Sequence, residues 1–179
     1  MATVESPVTP PAPGWARRFP KDERLFLWLI VGLGVVMAAV SIGWLYLGDQ
    51  NVPTSSYRTT PEAWSKQIAA FTQKYTDAKG RVVVPPGEDV YLMAGRYTFF
   101  PDPIVLKAGY AYTIWISSVD VLHGFSIVGG GQNLNLELAP EHAFGATLEP
   151  DKPGTYLVVC NEYCGLGHHG MKGHIVVER

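Results

Sequence analysis

Hydrophobic and polar positions change rhythm three times along this chain. Residues 25–48 have none: LFLWLIVGLGVVMAAVSIGWLYLG carries no charge, with only Ser41 as a polar side chain. At a rise of about 1.5 Å per residue this run reaches roughly 36 Å, enough to cross a hydrocarbon core of about 30 Å. Trp28, Trp44 and Tyr46 sit near its ends, where interfacial aromatics collect. A buried core helix this long would need more protein around it than the chain supplies. A cleaved signal peptide would have a shorter apolar region followed by small residues, and Trp44-Leu45-Tyr46-Leu47 is a poor cleavage context. The run therefore predicts a retained transmembrane helix set in a lipid bilayer.

A helical period follows. Thr60 precedes Pro61, which disfavours helical dihedrals at Thr60 and suits it to an N-cap. Trp64, Ile68, Phe71 and Tyr75 then recur on one face, with Gly80 as the expected stop. This aromatic stripe predicts packing rather than a cofactor site. Beyond Gly80 the period falls to two. Strands are expected over residues 82–84, 89–98, 104–106, 110–117, 122–128, 134–138, 143–148, 155–159 and 174–178, separated by Pro, Gly, Asp and Asn. Within 110–117 the set Tyr110, Tyr112, Ile114, Ile116 opposes Ala111, Thr113, Trp115, Ser117. Short strands at this spacing predict an all-β Greek-key barrel or sandwich, preceded by one transmembrane and one short amphipathic helix.

Composition and charge then set the orientation and exclude some partners. The 179 residues are 47% hydrophobic and 17% charged, which argues against disorder and against a charged coiled coil. A net charge of −2 leaves no basic field to attract nucleic acid. Arg17, Arg18, Lys21 and Arg24 precede the apolar run, and no Lys or Arg lies between Asp49 and Tyr57. The positive-inside rule then puts the N-terminus in the cytoplasm and the rest on the periplasmic or extracytoplasmic side of the membrane. Five of the fourteen prolines fall in residues 1–20. The expected organisation is a cytoplasmic Pro-rich tail (1–24), a transmembrane helix (25–48), a linker with the amphipathic helix (49–80) and an exported β domain (81–179).

The candidate chemistry lies near the C-terminus. Both cysteines fall in Cys160-Asn161-Glu162-Tyr163-Cys164-Gly165-Leu166-Gly167-His168-His169-Gly170-Met171. Its glycines make a helix improbable and point to a loop between strands. A disulfide is the plain reading of two cysteines in an exported domain. His168 and Met171 are not needed for that. Thiolate, thioether and imidazole together select copper over magnesium or calcium, while structural zinc rarely uses Met. A mononuclear blue-copper centre takes two His, one Cys and a weak Met. His123, in Asp120-Val121-Leu122-His123-Gly124-Phe125, is the best second imidazole, and that set leaves a thiolate over. Five side-chain donors suit two coppers bridged by two sulfurs better than one copper.

These residues resemble the CuA domain of subunit II of the haem-copper cytochrome c oxidases. The loop pattern Cys-x-Glu/Gln-x-Cys-Gly-x-x-His-x-x-Met is matched from Cys160 to Met171, and Asp-Val-x-His-Gly-Phe from Asp120 to Phe125. The single span and the Cys-Gly-Leu-Gly-His wording look like the short B-type subunit. The resemblance implies a cupredoxin-like fold and a dinuclear copper cofactor. Cys160 and Cys164 would bridge, His123 and His168 would be terminal ligands, and Met171 and the Glu162 carbonyl would be weak ligands. It further implies cytochrome c as donor and the haem of subunit I as acceptor, where oxygen is reduced and protons are pumped. The chain would then be an oxidoreductase subunit without oxygen chemistry of its own.

The Glu162 side chain could hold Mg or Mn at a subunit interface, as in A-type relatives, although the short class often has Gln here and no such metal. Tyr97 lies where related proteins carry an aromatic near the point at which electrons enter, and a packing role is the other reading. His169 is expected to face solvent or a partner, and His142 and His174 to be surface or packing residues. Residues 116–163 hold six acids and one base, Lys152, which could steer a basic cytochrome. Two other assignments fit the motif or the cysteines: the small subunit of a CuA-containing nitric oxide reductase, and a copper-binding or disulfide-bonded exported domain without enzyme activity.

Overall fold

A computed structural model describes residues 20–48, 53–132 and 134–179. The expected tail, with Arg17 and Arg18, lies outside the described residues apart from residues 20–24, as do Asp49 and the start of the linker. The chain divides into two units, residues 1–49 and 50–179.

In the first unit, α1 (Lys21–Leu47) is one helix of 27 residues, about 40 Å long, and none of its residues is buried. It begins four residues before the apolar run because Lys21, Glu23 and Arg24 are good helix formers and the acids Asp22 and Glu23 suit the first turn. It is long and apolar enough to cross a membrane.

The second unit is a two-layer β sandwich of cupredoxin type, as the strand pattern and the motif resemblance led us to expect. In chain order it contains β1 (Ser55–Arg58), α2 (Pro61–Tyr75), β2 (Val82–Val83), β3 (Val90–Gly95), β4 (Thr98–Phe100), β5 (Ile104–Lys107), β6 (Tyr112–Ser118), β7 (His123–Val128), β8 (Asn135–Leu138), β9 (His142–Leu148), β10 (Gly154–Val159) and β11 (Lys172–Glu178). One sheet runs β1-β9-β6-β3-β4 and the other β2-β5-β11-β10-β7-β8. Their facing sides form the core. Val90, Leu92 and Ala94 point inward from β3, Ile114 and Ile116 from β6, Phe125 and Ile127 from β7, and Tyr156 and Val158 from β10. Tyr110, grouped by alternation with Tyr112, Ile114 and Ile116 in an expected strand over 110–117, precedes β6 and is exposed.

The amphipathic helix forms as expected at its start. Pro61 is its first residue, and Oγ1 of Thr60 accepts a hydrogen bond from the Ala63 amide at 3.2 Å. Trp64, Ile68 and Phe71 are buried, and Trp64 donates from Nε1 to the Leu92 carbonyl at 3.0 Å, fastening α2 to β3. The end differs. The helix stops at Tyr75, and Gly80 lies instead in a turn that Asp77 closes by accepting from the Lys79 and Arg81 amides. The predicted strand over 89–98 is likewise two strands, β3 and β4, separated by a turn at Arg96 and Tyr97.

Residues 55–58 form a strand on the outer edge of the first sheet, paired antiparallel with β9. Their side chains are all exposed, so they show no alternation from which a strand could be read.

Candidate metal centre

β10 and β11 pair antiparallel, with Val159 opposite Lys172, and the twelve residues 160–171 close this hairpin. The Cys160 amide donates to the Met171 carbonyl at 3.3 Å, so the loop begins and ends at one point. Cys160 continues the inward alternation of Tyr156 and Val158, which carries its side chain into the end of the core. β7 flanks β10 on the other side, with Val159 opposite Ser126. Continuing that register brings Asn161 opposite Gly124 and sets His123 beside the loop. A Cβ on Gly124 would lie 2.7 Å from the Asn161 amide nitrogen, so only glycine fits there.

Buried His123, Cys160 and Cys164 form a cluster whose ligand atoms lie within 4.8 Å of one another. Both thiols are free, 3.8 Å apart. His123 Nδ1 lies 3.8 Å from Sγ of Cys160, which also contacts the Glu162 carbonyl at 3.2 Å. His168 Nδ1 lies 3.7 Å from Sγ of Cys164, and Sδ of buried Met171 is 3.7 Å from the same sulfur. His168 sits in a short 3-10 turn, His168–Gly170, with its ring edge-on to Tyr163 at 5.9 Å between centroids. The structure thus gathers His123, Cys160, Cys164, His168, Met171 and the Glu162 main chain. The Glu162 carboxylate joins no ion pair among the described residues.

Nε2 of His123 donates to Oδ1 of Asp120 at 2.8 Å, which turns Nδ1 toward the sulfurs. Burial pushes the Asp120 carboxyl upward, but hydrogen bonds from His123 and from the Arg96 and Val121 amides together hold it below the ordinary carboxylate value. It therefore presents an anion to the imidazole. Burial, and next the neighbouring Cys160 sulfur, push the Cys164 thiol up, so a metal ion binding there must displace a proton.

Tyr97 packs over the loop. A Cβ on Gly165 would lie 2.6 Å from the Tyr97 hydroxyl, and one on Gly167 2.7 Å from its Cγ, so both glycines make room for this ring. Tyr97 is still 40% exposed. His169 is exposed. His142 stacks on Phe144 at 6.4 Å between centroids, and His174 pairs with Asp102, Nδ1 to Oδ1 at 3.2 Å. Sequence reasoning placed Asp120 within the His123 motif without giving it a function, although an acid three residues before a ligating His is a readable signal. Arg96, which donates from Nε to the Cys164 carbonyl at 3.1 Å, left no signal at all.

No protein-family model matches the chain. Cytochrome c oxidase subunit 2 of Thermus thermophilus is 39% identical over 89 residues, covering 50% of this chain and 64% of that protein. The chain is similar to cytochrome c oxidase subunit 2 over half of its own length. The alternative cytochrome c oxidase subunit 2 of Bradyrhizobium diazoefficiens is 25% identical over 177 residues, covering 89% of this chain and 61% of that protein. A chain of a heme-copper terminal oxidase dimer determined by cryo-EM superposes with a TM-score of 0.56 and 25% identity, covering 88% of this chain and 100% of that one. The chain spans under two thirds of the length of these curated relatives. The donor set of one buried imidazole and two buried thiols fits a copper site.

Proposed function

We propose that this chain is the subunit through which electrons enter a haem-copper terminal oxidase, and that its 160–171 loop and His123 hold a dinuclear copper centre, CuA. The observation that carries this reading is the doubling of the donor set. Cys160 has its own imidazole in His123 and its own weak donor in the Glu162 carbonyl, while Cys164 has His168 and Met171. A single blue copper would use one thiolate and leave the other buried and idle. Bound there, two coppers sharing one electron supply one-electron transfer with little change of geometry.

The protein's own residues make that possible by staying still and staying dry. The hairpin closure from Cys160 to Met171 fixes both ends of the loop. Asp120 holds the His123 ring in one orientation. Cys160, Cys164, Met171 and His123 are all buried, which excludes water from the sulfurs. Tyr97, lying on the loop and reaching solvent, is the surface point at which we place electron arrival.

In the assembly, the donor is reduced cytochrome c and the acceptor is the haem of subunit I. Oxygen reduction and the coupled proton pumping belong to that subunit. Helix α1 is the single membrane span among the described residues, with its N-terminus cytoplasmic and the β domain on the opposite side. The length, the absence of charge within residues 25–48 and the preceding cations support this orientation.

The test is copper loading of the full-length chain in detergent, followed by metal analysis and titration with reduced cytochrome c. The proposal expects two coppers per chain and uptake of one electron per pair. One copper per chain, or an intramolecular disulfide with no copper, would refute it.

A further inference from the structure

The turn between β3 and β4 touches the centre from outside at three places, and one residue ties them together. The Arg96 amide donates to Oδ2 of Asp120 at 2.8 Å, while Oδ1 of the same carboxylate accepts from His123. Nε of the Arg96 side chain donates to the Cys164 carbonyl at 3.1 Å. The neighbouring residue, Tyr97, lies on Gly165 and Gly167. One turn therefore joins the His123 segment to the Cys164 segment, two parts of the centre that are 41 positions apart in the chain.

Resting on the copper reading above, we infer that Arg96 is a positioning residue for the centre. The peptide it holds is the one between Cys164 and Gly165. Gly165 has φ of +132°, a conformation open to glycine alone, so rotation of this peptide meets little steric resistance. It is also the first link between two donors, Cys164 and His168, whose contact is 3.7 Å. A guanidinium bonded to the carbonyl fixes the peptide plane and with it the direction of the Cys164 side chain. A charge-assisted bond from a planar group serves this better than one from a flexible ammonium. The same guanidinium places a positive charge at the Cys164 peptide, which favours the more reduced state of a metal held by that residue's sulfur.

Two effects separate on substitution, one from the hydrogen bond and one from the charge. In full-length protein loaded with copper, Arg96→Met removes both. We expect copper release to a chelator to quicken about 10–100-fold, as for loss of other outer partners of metal ligands. The optical bands of the centre should shift and its reduction potential fall, and the potential difference should shrink at high salt. Arg96→Lys keeps the charge and loses the planar donor, so its release should be fast while its potential stays near wild type. Arg81→Met is the control. It removes ion pairs to Asp77 and Glu178 elsewhere on the domain, and should leave spectrum, potential and release rate unchanged.

Wild-type spectrum, potential and release rate in Arg96→Met would overturn the positioning role while leaving the copper reading intact. If Arg96→Met does not fold, the same judgement falls to Arg96→Lys, where a wild-type release rate overturns it. A change shared equally by Arg81→Met would also overturn it, by showing a general loss of stability. Failure of the wild-type chain to take up a copper pair would instead remove the reading on which the inference stands, and the inference with it.

Discussion

Asp120 accepts a hydrogen bond from Nε2 of His123 at 2.8 Å, and so aims Nδ1 of a fully buried imidazole at the sulfur of Cys160. The carboxylate is itself held by the Val121 and Arg96 amides. An imidazole oriented in this way need not reorganise when a metal binds. Asp120→Ala is therefore expected to weaken copper binding about 10–100-fold with the fold preserved. Competition with a chelator of known affinity, alongside circular dichroism, measures both.

Gly124 follows His123 because the Asn161 backbone occupies the space where a side chain would be. Gly124→Ala must push Asn161 and the start of the ligand loop away from β7. We expect a loss of about 1–3 kcal/mol in stability, the usual range for overpacking, together with a shifted copper spectrum. Thermal unfolding with and without copper reads both effects.

Trp64 secures α2 to the first sheet, and its Nε1 bonds to the Leu92 carbonyl within the core. Trp64→Phe leaves that carbonyl without its donor and should cost about 1–3 kcal/mol. Copper stoichiometry and spectrum should not change. Denaturant titration and absorption spectra of the loaded variant are the measurements.

The Arg81 amide, aided by the Lys79 amide and the Arg81 side chain, holds the Asp77 carboxyl below its ordinary value of 3.8. A carboxyl that binds its proton less readily folded than unfolded adds stability above the unfolded value, and loses it as pH falls through the folded one. Asp77→Asn should therefore be less stable than wild type near neutral pH, with the difference closing below about pH 4. Melting temperatures of the two proteins from pH 7 down to pH 3 test this.

How much of this was legible depends on the distance over which each feature is encoded. The helix at α2 repeats its signal every turn through Trp64, Ile68 and Phe71, and the donors at Cys160, Cys164, His168 and Met171 lie within one loop. Local signals of this kind survive in sequence. The strand at residues 55–58 carries no such signal, because its side chains are all exposed and its existence depends on the β9 edge. Helix α2 ends at Tyr75, ahead of the glycine expected to stop it, because Asp77 offers the following amides a better acceptor. The bond from Arg96 to the Cys164 carbonyl spans 68 positions, and nothing in the local pattern of either segment announces it.

The pairing of Cys160 with His123 and of Cys164 with His168 is most directly tested by electron paramagnetic resonance of the copper-loaded full-length chain. With two coppers bound and one electron missing from the filled pair, the spectrum should show hyperfine splitting from two equivalent copper nuclei. Splitting from a single copper nucleus at full loading would contradict the shared centre.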